Sequence, residues 1–211
     1  MTPMVPDPVS APNAPTDTSL WQGGWHLGAS HVPSPNFGPR PAGTTIDLAV
    51  VHSISLPPGQ YGGDEIERLF TNTLDWDAHP YFDQIRGAEV SAHFVIRRDG
   101  QLLQFVSVLD RAWHAGRSSW QGRDNCNDHS VGIELEGLEH TPFEPAQYEA
   151  LARLLHDLAH AWPICQVVGH EHIAPGRKQD PGKAFDWPLL ARLTGWPDAR
   201  IPPCTLLDSS S

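Results

Sequence analysis

Thiol chemistry has little material in this sequence. Its 211 residues include three cysteines, Cys126, Cys165 and Cys204, widely spaced and with no Cys-x-x-Cys pair. That excludes a disulfide framework and a thiolate zinc knuckle, and free thiols fit a reducing compartment. Positive charge is also short: Lys+Arg is 14 against Asp+Glu 25, a net −11, so nucleic acid is not an expected partner. No stretch approaches the roughly 20 apolar residues that span a bilayer, so no membrane partner is expected. No His-Glu-x-x-His run exists, which removes the helical zinc-protease site. The opening stretch, MTPMVPDPVSAPNAPTDTS, has neither a basic n-region nor an apolar h-region. No secretory signal is therefore expected there, and a cytoplasmic location is.

What is present reads as one globular domain. Hydrophobic residues make up 39% and charged residues 18%, enough apolar surface for a full core. Residues 1–19 are Pro-rich and polar and read as a disordered leader, residues 20–199 as the domain, and residues 200–211 as a loose tail. No feature of the sequence sets an oligomeric state.

Apolar runs and turn residues place the elements. Ile46 to Val51 is a β-rich run that ends at His52. Asp64 to about Asn72 carries Ile66, Leu69 and Phe70 at helical spacing behind an acidic start. Ala92 to Ile96 and Leu102 to Val108 flank Arg98-Asp99-Gly100, a hairpin signal. From Ser130 to Gly137, Val131, Ile133 and Leu135 alternate with Gly132, Glu134 and Glu136. Pro145 to Trp162 repeats apolar residues every three or four positions and is the longest helix expected. Ile164 to Val168 is a short strand ending at Gly169-His170, and Asp186 caps a final helix to Leu193. Strands interleaved with helices imply an α/β fold, a mixed central β-sheet flanked by helices.

Twelve histidines are the unusual count. His52 and His170 both close strands, where a metal-activated water could be assembled from three protein ligands and one open position. Asp180, ten residues beyond His170 through a Pro/Gly loop, is a carboxylate that could fold back. The residues alone leave His172 in competition with His170, and His93, His114 and His129 also open as ligands. Glu134 and Glu136 share one face of a strand, so either that face is in water or a cation or a proton-transfer task holds them there. Lys178 is either a solvated loop lysine or a positive partner at the same site.

The stretches VVHSISLPPGQYGG, AHPYF, SAHFVIRRDGQLLQFV, RAWHAGRSSWQGRDNCNDHSVGIELEG and GHEHIAPGRKQDPGKAFDW occur in this order. Together they resemble the AmpD-type N-acetylmuramoyl-L-alanine amidases, members of the amidase-2 superfamily that also includes the peptidoglycan recognition proteins. The resemblance runs from about Trp25 to Leu193. It implies the amidase-2 fold, with a Zn2+ site at one edge of the sheet. It places the zinc ligands at His52, His170 and Asp180, so it selects His170 over His172. The catalytic glutamate falls on Glu134 and the catalytic lysine on Lys178. The implied substrate is a small muropeptide, cut between (1,6-anhydro-)N-acetylmuramic acid and L-alanine in cytoplasmic cell-wall recycling. Tyr81, His114 and the loop from Ser118 to Asn127 are expected to border the substrate groove.

Two substrate-side positions depart from the family pattern. Ser53 stands where members often carry Asn, and Asn125 where a basic residue is expected. Arg86, Arg97, Arg117 and Arg177 lie in or beside the resembling blocks and are expected to meet the peptide's carboxylates. His93 and Glu136 are expected to orient the ligands. Two other classes compete: a peptidoglycan-binding module without a metal, and a metallohydrolase for another amide or ester. A binding module of the first kind would lack a ligand, whereas all three are present here. Metal content with turnover on muramoyl-L-alanine separates the classes.

Overall fold

A computed structural model describes residues 19–197 and 200–201. Residues 1–18 and 202–211, with most of the expected leader and tail and with Cys204, lie outside the described residues. Arg200 and Ile201 belong to the domain rather than to a tail. The Arg200 carbonyl accepts from Val167 N at 2.8 Å, and Ile201 is buried in the main core.

The centre is a six-stranded mixed sheet. In chain order its strands are β1 (Ser30–His31), β2 (Leu48–Ile54), β3 (Phe94–Ile96), β4 (Leu102–Gln104), β5 (Ser130–Glu136) and β6 (Gln166–Gly169). Across the sheet they run β6-β2-β5-β3-β4-β1. β6, β2, β5 and β3 are mutually parallel; β4 returns antiparallel to β3, and β1 lies parallel on β4. The turn between β3 and β4 is the expected hairpin. Gly100 takes φ +87° there, and Asp99 Oδ1 accepts from Gln101 N at 2.9 Å.

Parallel strands with helices on their faces are buried on both sides, and every residue of β5 is buried. The alternation in β5 therefore separates two packed faces, not a core face from a wet one. Val131, Ile133 and Leu135 join Ala49, Val51, Phe94 and Ile96 under the long helix α2 (Pro145–Ala161). Leu151, Leu155 and Leu158 of α2 are fully buried against them, and truncating any one costs about 2–5 kcal/mol. The final helix, α4 (Trp187–Thr194), packs on α2; Asp186 caps it by accepting from Leu189 N at 2.8 Å.

The opposite face is divided. Toward β4, Val95, Leu103 and Phe105 pack with Ile66, Leu69 and Phe70 of α1 (Glu65–Phe70) and with Phe82 of a 3-10 turn. Toward β6, Leu48, Val50 and Val168 pack with Cys126, Ala115 and Ile173 of the short helix α3 (His170–Ile173). Between these apolar patches β2 and β5 carry His52, Glu134 and Glu136. All strand alternation needs to place His52 and Glu134 together is the register, which pairs them directly.

The two β5 glutamates meet different surroundings. Glu136 Oε1 accepts from Arg97 Nη1 and from Gly62 N, both at 2.7 Å, and Arg97 also bonds Glu67. Glu136 is thus committed to a buried ion pair that ties the 62–63 loop and α1 to the sheet. Replacing it by Ala should cost about 3 kcal/mol, at the low end for breaking a buried pair because Glu67 still serves Arg97. Urea denaturation checks this, and bound metal should be unaffected.

Candidate metal centre

His52, His170 and Asp180 each offer one ligand atom, and these atoms lie within 4.8 Å of one another, all from buried residues. His52 rises from β2, and His170 opens α3 directly after β6, so two neighbouring parallel strands present imidazoles at the same sheet edge. Asp180 is returned to them by the loop after α3, where its carbonyl accepts from Glu171 N at 2.9 Å. His52 Nδ1 is 2.9 Å from His170 Nδ1, and each of these nitrogens is 3.0 Å from Asp180 Oδ2.

His170 Nε2 lies 3.1 Å from the Ala115 carbonyl, which can only accept. A neutral His170 therefore gives its proton to Ala115 and turns an Nδ1 lone pair toward Asp180. Burial lowers the His52 pKa to about 4, although the nearby Asp180 carboxylate opposes it, so this ring is neutral near pH 7. Burial pushes the Asp180 carboxyl up, but its close contacts with the His170 and His52 rings outweigh it and hold the group below the usual carboxylate range. Lone pairs and a carboxylate thus converge with too few protons between them, a donor set that fits a cation.

Glu134 sits opposite His52 on β5, 9% exposed, and its Oε2 is buried without a hydrogen-bond partner. Burial raises its pKa well above the ordinary 4.5; Asp180 adds to the rise and Lys178 opposes it. Lys178 itself is exposed, with its backbone N–H on the Ala174 carbonyl at 3.1 Å. Its charge reaches both Glu134 and His52.

His172 is turned to other work. Its Nδ1 accepts from Gly169 N at 2.8 Å and its ring packs against Trp187. His93 and Glu136 do not orient the cluster, contrary to expectation. His93 Nδ1 accepts from Gly132 N at 3.0 Å, its Nε2 faces the Asp110 carbonyl, and Glu136 belongs to Arg97. The ring that does touch the cluster is His114, whose Nδ1 is 2.9 Å from His52 Nε2.

The substrate-side positions are scattered. Ser53 follows His52 and so projects from the other side of β2, paired with Leu135, its Oγ buried without a partner. Asn125 is exposed with φ 54° and begins a 3-10 turn. Tyr81 lies half-buried in the 3-10 turn against the α1 cluster. Three of the four arginines are committed internally: Arg86 to Asp77 and Asp83, Arg97 to the glutamates, and Arg177 to the Ala115 and Arg117 carbonyls.

Asn127 is expected from the sequence only as the end of a loop at the substrate groove, and its structural role is missed. Its Oδ1 accepts from both His114 N (3.1 Å) and Ala115 N (2.8 Å), fixing the backbone that presents His114 and the carbonyl bound by His170. Only the three-dimensional path of the 118–127 loop brings it there, so no local signal marks it.

Residues 42–183 match the Amidase_2 family, described as N-acetylmuramoyl-L-alanine amidase, and the chain belongs to that family. Within it, AmpD enzymes are among the relatives that this chain resembles over most of its length. The 1,6-anhydro-N-acetylmuramyl-L-alanine amidase AmpD of Escherichia coli (strain K12) is 51% identical over 170 residues, 80% of this chain and 93% of that one. A crystal structure of a selenomethionine AmpD derivative superposes with a TM-score of 0.80 at 49% identity, covering 82% of this chain and 98% of that one. The E. coli amidase AmiD, solved with the substrate anhydro-N-acetylmuramic acid-L-Ala-D-gamma-Glu-L-Lys, gives a TM-score of 0.51 at 32% identity over 70% of this chain and 57% of that one.

Proposed function

We propose that this chain is a zinc-dependent amidase that hydrolyses the bond between 1,6-anhydro-N-acetylmuramic acid and L-alanine in small muropeptides. The observation that carries the reading is the pairing of Glu134 with His52. An unpartnered buried carboxyl lies one strand away from a convergent His/His/Asp set, in a chain half identical to AmpD enzymes. Two imidazoles and one carboxylate suit zinc better than magnesium or calcium, and leave a position open. Iron favours the same donor set, so elemental analysis of the purified protein decides the metal.

His52, His170 and Asp180 would hold the ion, which supplies Lewis-acid polarisation of the amide carbonyl and acidifies water. Glu134 takes a proton from the attacking water on Oε2 and returns it to the alanine nitrogen as that amine departs. A carboxyl raised by burial is suited to both halves of this transfer. Lys178 approaches from the loop between the second histidine and the aspartate, and its ammonium meets the oxygen on which negative charge develops. Lys178→Ala is expected to lower kcat about 10²- to 10³-fold with metal content unchanged, read by steady-state kinetics beside elemental analysis.

The place of action that fits these relatives is the cytoplasm, on recycled wall fragments. Among the described residues no helix is long and apolar enough to cross a membrane. The primary test is product analysis of a muropeptide digest with and without chelator. Release of intact peptides beginning with L-alanine, abolished by chelation and restored by zinc, is the expected result. Cleavage elsewhere in the peptide, or chelator-resistant release, overturns the reading. Efficient digestion of whole sacculi without preference for the anhydro sugar would remove the recycling role.

A further inference from the structure

A proton can be followed outward from the cluster, atom by atom. Ser130 Oγ lies 2.5 Å from the Cys126 carbonyl. Two oxygens this close share a proton, and a carbonyl has none, so the hydroxyl proton of Ser130 is committed to Cys126. Ser130 Oγ must then accept from its other neighbour, His114 Nε2, at 3.1 Å. A neutral imidazole holds one N–H, so with Nε2 protonated the Nδ1 of His114 is a bare acceptor. That Nδ1 faces His52 Nε2 at 2.9 Å, which requires His52 to carry its proton on Nε2 and a lone pair on Nδ1. Nδ1 is the atom that faces His170 and Asp180.

The place of the His114 ring is enforced from two sides. Asn127 holds its backbone N–H. Beneath the ring, β5 carries Gly132, where a Cβ would stand 2.4 Å from His114 Cγ. Glycine in the middle of a central strand weakens it, and close approach of another group is the usual reason for one.

We propose that His114 is a positioning residue: through the chain Cys126 carbonyl, Ser130, His114 and His52 it sets the tautomer and ring orientation of His52, and does not bind substrate. Both ring nitrogens are occupied by the protein, so neither is left to meet a muropeptide. The inference rests on the reading of His52 as a metal ligand. Outer partners of this kind are generally worth about 10- to 100-fold in metal affinity.

The test begins with the zinc-loaded parent. Long-range nitrogen–proton NMR correlations should show protons on Nε2 of both His52 and His114; a proton on His114 Nδ1 overturns the proposal without any variant having to fold. His114→Phe keeps a ring and removes the acceptor, and should weaken zinc about 10- to 100-fold in chelator competition. His114→Asn restores an acceptor near the Nδ1 position and should recover most of that loss. At saturating zinc the KM for muropeptide should stay near the parental value in His114→Asn. Unchanged zinc affinity in His114→Phe, or a raised KM with zinc affinity intact in His114→Asn, refutes positioning. A parent that binds no stoichiometric metal refutes the metal-site reading itself, an outcome distinguishable from the others.

Discussion

Glu134→Gln is expected to lower kcat by about 10²- to 10⁴-fold, the scale for loss of a general base, while zinc content and substrate affinity are kept. The same substitution should leave the fold as stable or make it more so. The parent carboxyl has no hydrogen bond on Oε2 and no ion pair, so its charged form is opposed by burial and by Asp180. Glutamine keeps the shape and removes the charge. The pH dependence has a definite sign. A carboxyl whose pKa rises on folding binds its proton more tightly when folded. Its contribution is then present below the ordinary 4.5 and lost as pH rises through the raised value. Metal-free parent should therefore lose stability relative to Glu134→Gln as pH climbs above 4.5. Paired urea melts of the two proteins measure this, with the metal ligands common to both. Parallel curves, or an unchanged kcat, would remove Glu134 from the proposed proton transfer.

Loss of a metal ligand should be more severe. His52→Ala, His170→Ala and Asp180→Ala should each reduce zinc from about one per chain to a small remainder and abolish turnover. Each weakening should exceed the roughly 10- to 100-fold that an outer partner accounts for. His172→Ala is the informative control, since His172 is tied to Gly169 N and packed against Trp187, and should stay fully loaded. Elemental analysis after dialysis separates the four. An empty site in His172→Ala together with a full one in His170→Ala would reverse the assignment.

These residues differ in how far sequence alone reveals them. His52 and His170 follow apolar β runs, and a histidine ending such a run is legible because the run fixes where the strand stops. Asp180 is not legible this way. Nine residues separate it from His170, three of them in α3, and only the resemblance to known amidases selected it. Glu134 and Glu136 show the limit more sharply: their pattern is identical, yet Arg97, arriving from the end of β3, claims only Glu136. Partners that come from a neighbouring strand have no local signature.

The fold divides in the same manner. β2, β5, α2 and α4 carry enough periodic apolar residues to be seen, and their observed spans agree with expectation to within a few residues. The two-residue strand β1 and the short pairings of Phe37–Pro39 with Asp110–Ala112 and of Ser119–Trp120 with Arg123–Asp124 were not expected. Elements so short are defined by hydrogen bonds to distant backbone, and periodicity needs more residues than they have. The four-residue α3 was missed for the same reason.

The contact between His114 and Gly132 also constrains how the sequence can change. A side chain at 132 has no room while the imidazole lies above it. A smaller residue at 114 makes that room but gives up the partner of His52. Any route from the present pair to an alanine at 132 with a small residue at 114 thus crosses an impaired intermediate, whichever change comes first. The two positions form a single epistatic unit, and a mutational library that varies them one at a time will score both as immutable, although the barrier lies in their combination.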